Sequence, residues 1–186
     1  MIVALAGRRP DPNDAPYRRF PLERVPQVRE RIRQAFVDLG ATALVCSAAA
    51  GADLLALQVA GELGLRRRIV LPFGRERFCT SSVVDRPGNW EPIFRRIYAD
   101  VQAHGDLHTL RPRGALQDAL LLTNQEVLAD AERMAEEVRQ GRRRSAVGVA
   151  AVVVWEGELR GPDDLTAAFA AEAHRRGIPV TEVPTL

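Results

Sequence analysis

The chain has 186 residues, 46% of them hydrophobic, with 26 basic against 24 acidic side chains and a formal net charge of +2. That length suits one α/β domain with a sizeable core, and no apolar run approaches a membrane span. The near balance of charge creates no bulk demand for a polyanionic partner. Two cysteines, Cys46 and Cys79, lack metal-type spacing and fit a reduced, cytoplasmic compartment. Charged Arg8 and Arg9 follow Met1 too closely for a signal peptide. All 26 basic residues are arginine, which reads first as compositional bias and second as a supply of planar phosphate forks.

Ile2 to Ala6 reads as a buried strand ended by Gly7. The loop from Arg8 to Pro21 carries Pro10, Pro12, Pro16 and Pro21, and loops of that length inside a compact domain are often functional. Pro26 suits the first turn of a helix whose stripe runs Val25, Val28, Ile32, Phe36 and Leu39, closed by Gly40. Thr42 to Cys46 is the second strand, followed by a helix from Asp53 to Leu63. Arg68 to Leu71 is the third, stopped by Pro72. The polar passage from Phe73 to Gly88 shows no period. Asn89 is placed to cap a helix carrying Ile93, Phe94, Ile97, Tyr98 and Val101. Asp106 to Leu110 is a weak strand, and Leu116 to Gln140 the longest helix. Val147 to Trp155 is the plainest buried strand, Asp163 or Asp164 begins a last helix, and Pro179 to Val183 is the last strand.

Strands alternate with helices, and the strands are continuous apolar runs. This pattern predicts a single α/β domain over residues 1–186, Rossmann-like, with three layers and a mostly parallel sheet covered by helices on both faces. Ligands of such sheets bind beyond the carboxyl ends of strands, at the switch in strand order. Gly7 and Arg8 would meet a phosphate together, by backbone and guanidinium. The small-residue turn from Ser47 to Asp53 would bring Ser47 and Gly51 against a phosphate or ribose, with Asp53 on sugar hydroxyls. An acid in a first helical turn also offsets the helix dipole without any ligand. Asn124 interrupts an apolar stripe, so its amide must bond a neighbouring backbone group or face the cleft. Glu156 is the one carboxylate positioned as a candidate general base. His104, His108 and His174 lack the spacing of metal ligands, so neither a metal nor a cofactor is expected.

Several stretches together resemble SLOG-type domains, the Rossmann-like superfamily that includes LOG and DprA proteins. Ala6-Gly7-Arg8-Arg9-Pro10 is similar to their "G-H/R-R" opening. Cys46 to Asp53 is similar to the "S-G/A-x-A-x-G-A-D" turn. Leu71-Pro72-Phe73, Arg77-Phe78 and Ser82-Val83 resemble an "LPF…F…SV" passage. Val153 to Gly157 with Gly161 to Ala167 resembles "VWDG…GGTAD". The resemblance implies binding of a nucleotide or nucleotide-derived small molecule, as a signalling or sensor module of bacterial type. Its expected lining is Gly7, Arg8, Ser47, Gly51, Asp53, Asn124 and Thr166.

Some LOG members cleave the N-glycosidic bond of nucleoside monophosphates with a "PGGxGTxxE" glutamate and a helical arginine. Phe169 stands where that glutamate would be, and Thr123 to Val127 holds no arginine. A nucleotide N-glycosidase using Glu156 is therefore the alternative. DprA-like DNA binding through Arg142-Arg143-Arg144 is a second, although nucleic acid is not the expected partner. A membrane is not expected either, and exposed helix faces leave room for a homo-oligomer.

Overall fold

Two uninterrupted apolar runs, Ile2–Gly7 (β1) and Val149–Trp155 (β5), pair in parallel from Ile2 opposite Val149 to Gly7 opposite Val154. The structure, a computed structural model, describes residues 1–112, 114–141 and 147–186, so Arg142-Arg143-Arg144 lie outside the described residues. Beyond β1 come β2 (Ala43–Cys46), β3 (Arg66–Leu71) and β4 (Leu107–Thr109); beyond β5 comes β6 (Val180–Pro184). The order is β4-β3-β2-β1-β5-β6, parallel throughout.

Side chains alternate across this sheet and so build two cores. Val3, Leu5, Val152 and Val154 face one side, while Ile2, Ala4, Ala151 and Val153 face the other. The first side is covered by α1 (Val25–Asp38), α2 (Ala52–Glu62), α3 (Arg75–Ser82) and α4 (Glu91–Ala103). The second is covered by α5 (Leu116–Gly141) and α6 (Leu165–Arg175). This is the expected Rossmann-like three-layer α/β arrangement. Val28, Ile32 and Phe36, the centre of the stripe on α1, are fully buried, each worth roughly 2 kcal/mol of transfer free energy. Among the described residues no helix is long and apolar enough to cross a membrane.

Three local expectations change. The unassigned passage contains α3, a polar octapeptide that hides only Phe78, Cys79 and Ser82. Tertiary packing defines that helix: Phe78 lies between Phe73 and Phe94, with ring centroids 6.2 and 6.0 Å apart. Asn89 does not cap α4; Trp90 holds that position without a side-chain cap bond. Its buried indole donates to the Pro87 carbonyl at 2.7 Å, so packing fixes the helix start instead. β3 also begins earlier than its apolar run, because Arg66 and Arg68 bond the buried Asp106 carboxylate beside β4.

The chain leaves β1 toward α1 on one face and enters β5 from α5 on the other. A crevice therefore opens beyond the carboxyl ends of these two central strands.

Candidate functional site

A cavity of about 420 Å³ occupies this crevice, within the range of small-ligand sites. Gly7, Arg8, Ser47, Asp53, Asn124 and Thr166 line it together, although they come from four separate parts of the chain. Gly51 does not line it. Its place is underneath, as the N-cap of α2, at φ +92° with the spot for a Cβ 2.7 Å from Pro10 Cδ and 2.9 Å from the Arg8 carbonyl oxygen. Gly7 is held small for a different reason. A Cβ there would sit 2.5 Å from Ala52 Cβ and 2.6 Å from Val154 Cβ, so a glycine lets α2 close onto β1 and β5.

The two helix N-termini beside the cavity are already engaged. Ala52 N–H, in the first turn of α2, donates to the Arg8 carbonyl at 3.1 Å. The Asp53 carboxylate turns back to accept Ala49 N–H at 3.2 Å. At α6, Asp164 is the capping residue and accepts from Thr166 and Ala167 N–H at 3.0 and 3.1 Å. Asp163, the other candidate cap, is exposed at the rim.

Arg8 reaches the cavity wall with its guanidinium bonded on several sides. Nε donates to Glu156 Oε2 at 2.6 Å, Nη1 to Asp164 Oδ1 at 2.6 Å, and Nη2 to Asp164 Oδ2 and the Glu158 carbonyl at 2.8 Å. Its plane also lies 5.7 Å from the Trp155 ring centroid. The side chain read from sequence as a phosphate fork is thus a buried tie between β1, the end of β5 and the start of α6.

Glu156, the candidate general base of the alternative reading, is held by ion pairs. It does not line the cavity, and both Arg8 and Arg19 bond its carboxylate. Burial pushes its pKa up, but those two arginines outweigh burial and leave it below the ordinary glutamate value. Such a carboxylate is a weaker base than a free one. Asp164 is held lower still: bonds from Arg8 and from Ala167 and Arg160 N–H overcome burial and set it at about 2.

Asp53 behaves oppositely. Burial raises its carboxyl from 3.8 to about 7, against the smaller pull of Ala49 N–H and the Arg9 charge. Asn124 resolves its two readings in both ways at once. Nδ2 donates to the Leu165 carbonyl at 2.8 Å, and the residue also lines the cavity. Phe169 is fully buried under the sheet and takes no part in the crevice.

The sequence reading missed Arg86 and Arg160, which line the cavity with Arg9, Ser81, Ser82 and Thr123. Both sit in connections between a strand's carboxyl end and the next long helix, which is the available signal. Neither belongs to a motif. Burial and then the neighbouring Arg9 charge lower the pKa of Arg86; burial and then Arg8 lower that of Arg160.

No known protein-family model and no curated protein matches this chain. Away from the crevice, His108, Glu126 and Asp130 bring ligand-type atoms within 4.8 Å of one another. Arg133 bonds both acids, and Arg68 Nη1 lies 3.7 Å from Asp130, so this is an ion-pair cluster already carrying its cations.

Proposed function

We propose that the chain binds a nucleotide or nucleotide-derived small molecule carrying at least one phosphate, in the crevice between β1 and β5. The observation that supports this reading is that four arginines, Arg8, Arg9, Arg86 and Arg160, line one cavity, and two of them share a single carboxylate. On the α3 side, Arg9 and Arg86 share the single carboxylate of Asp85. On the β5 side, the guanidinium groups of Arg8, Arg19 and Arg160 stand around the carboxylates of Glu156 and Asp164, with the exposed Asp163 at the rim, and Arg160 is the most loosely held of the three.

Among the described residues Arg160 has no carboxylate closer than the 3.9 Å approach of Glu156, so its donors are the freest of the group. Arginine's planar fork suits phosphate oxygens. Leu5, Leu116, Leu120, Val127 and Leu165 supply apolar wall for the flat or sugar part of such a ligand. Ser47 and Asn124 add polar groups for its hydroxyls or base edge. The resemblance to SLOG domains points to the same ligand class, and to a sensor or signalling role in a bacterial cytoplasm.

Recognition by side chains replaces the helix-end cradle, since both neighbouring helix starts are engaged by the protein itself. Binding is favoured over hydrolysis because the Glu156 carboxylate is engaged by Arg8 and Arg19 and is not part of the cavity lining. Calorimetry and thermal shift with a panel of nucleoside mono-, di- and cyclic phosphates test the proposal. A binder with micromolar affinity that weakens on Arg160→Ala supports it; no heat and no shift at millimolar concentration across the panel overturns it.

A further inference from the structure

Among the charged groups of the cavity, Asp53 and Asp163 have no ion pair among the described residues, and of these two only Asp53 is buried. Asp163 is exposed and Asp164 is bonded to Arg8, whereas Asp53 is 7% exposed and sits in the wall. Its Oδ2 accepts Ala49 N–H, and among the described residues no protein donor reaches Oδ1. An anion entering beside an ionised Asp53 would meet a like charge in a poorly solvated place. A carboxylic acid there would instead offer a hydrogen bond to an acceptor oxygen.

We infer, resting on the phosphate-bearing ligand proposed above, that Asp53 enters the complex as a neutral carboxylic acid that donates its proton to a ligand oxygen. Binding at alkaline pH then takes up one proton from solvent for each ligand bound. Burial already holds the carboxyl at about 7 in the free protein, so the proton is available near neutrality at little cost. A bound anion displaces that titration further upward.

The groups around Asp53 isolate the effect. The β1–α1 loop contributes Arg9, whose charge is paired with Asp85. β2 contributes the Cys46 thiol, itself pushed well above its ordinary value by burial and then by Asp53. α3 and the loop after it contribute Ser81, Ser82 and Arg86, and the β5–α6 loop contributes Arg160, Asp163 and Asp164. α5 presents Thr123 and Asn124, which do not ionise. α1, β3 and α4 meet α2 through apolar side chains such as Ile32, Ile69 and Ile97, and the charged Glu62 and Arg67 sit at its opposite end. No histidine, tyrosine or cysteine lines the cavity among the described residues, and the chain has no lysine.

Above pH 8 a phosphate monoester has also lost its second proton, leaving Asp53 as the titrating group. The test is calorimetry with AMP from pH 8 to 9.5, in two buffers of different ionisation heat, on the wild type and Asp53→Asn. Asparagine keeps an acceptor for Ala49 N–H and cannot ionise. The wild type is expected to take up close to one proton per AMP and to lose about tenfold in affinity per pH unit; the variant shows neither. AMP binding in the wild type without proton uptake, or an equal slope in Asp53→Asn, overturns the role of Asp53 and leaves the nucleotide reading standing. Absence of AMP binding in both proteins across the pH range, with no binder in the wider panel, overturns the nucleotide reading and this inference with it.

Discussion

Arg8 and Glu156 stand 148 positions apart and meet in a two-pronged pair, Nε to Oε2 at 2.6 Å and Nη2 to Oε1 at 3.1 Å, with both side chains 3% exposed. Each spends its chemistry on the other. The arginine that sequence offers to a phosphate and the glutamate it offers to a reaction are one structural unit, joined to Asp164 on α6.

Breaking that unit should cost stability before it costs binding. Arg8→Ala leaves the buried Asp164 carboxylate without its ion-pair partner and Glu156 with Arg19, and losing one partner of such a buried pair typically costs about 3–5 kcal/mol. Chemical denaturation should show the loss directly. Glu156→Gln should lower the midpoint by a smaller amount, because Arg8 keeps Asp164, and should leave nucleotide affinity within about twofold.

Arg160→Ala is expected to do the reverse. Among the described residues its guanidinium has no carboxylate nearer than 3.9 Å, and it is partly exposed, so the fold should keep its thermal midpoint. Affinity for a phosphate-bearing ligand should fall at least ~10-fold, or about 1.4 kcal/mol, in calorimetry.

Acid should weaken the protein through Asp164. Its folded-state pKa of about 2 lies below the ordinary 3.8, so its contribution is complete above the unfolded value and vanishes as pH falls through 2. The amount is about 2 kcal/mol, with Glu156 adding in the same direction. Urea melts between pH 5 and 2 should show this slope, reduced in Glu156→Gln.

Asp53 has the opposite sign. Its folded pKa is raised to about 7, so the native state holds a proton that the unfolded chain has released between about pH 4 and 7. Stability from this group is complete below pH 4 and declines as pH rises through 7, by as much as ~4 kcal/mol. Asp53→Asn in the free protein should therefore be more stable than the wild type at pH 8 and should lack that decline. A wild-type stability that is flat from pH 5 to 8 would contradict the burial of an unpaired acid.

Gly51→Ala should be more damaging than an average surface change. The backbone is at φ +92° and the added carbon would fall 2.7 Å from Pro10 Cδ, displacing the loop that roofs α2. A loss of about 2 kcal/mol or more is expected in denaturant melts.

The layered fold was legible because burial on both faces writes itself as uninterrupted apolar strands, as in Val149–Trp155, and as stripes such as Val28, Ile32 and Phe36. Helix α3 was hidden because an octapeptide with three buried side chains carries too little period to register. Asn89 misled for a related reason: a capping residue type is a local signal, and the buried Trp90 overrode it. Gly7, Arg8, Ser47 and Asp53 were legible from their place after strands, and Asn124 from its break in an apolar stripe. Their partners were not, since nothing near Arg8 in sequence announces Glu156 or Asp164, and Arg160 looks like any loop arginine. Pairing across 148 and 156 positions is a property of the folded sheet.

The central position of β1 also sets an order of events during synthesis. Its first neighbour, β2, follows within about forty residues, but its second, β5, is made only after most of the chain. Until then β1 presents an unpaired apolar edge, and the Arg8 guanidinium lacks both carboxylates it needs. A nascent chain stopped before residue 149 would thus have neither a crevice nor a closed sheet. Its exposed edge would be the natural place for a chaperone to bind or for two such chains to stick together.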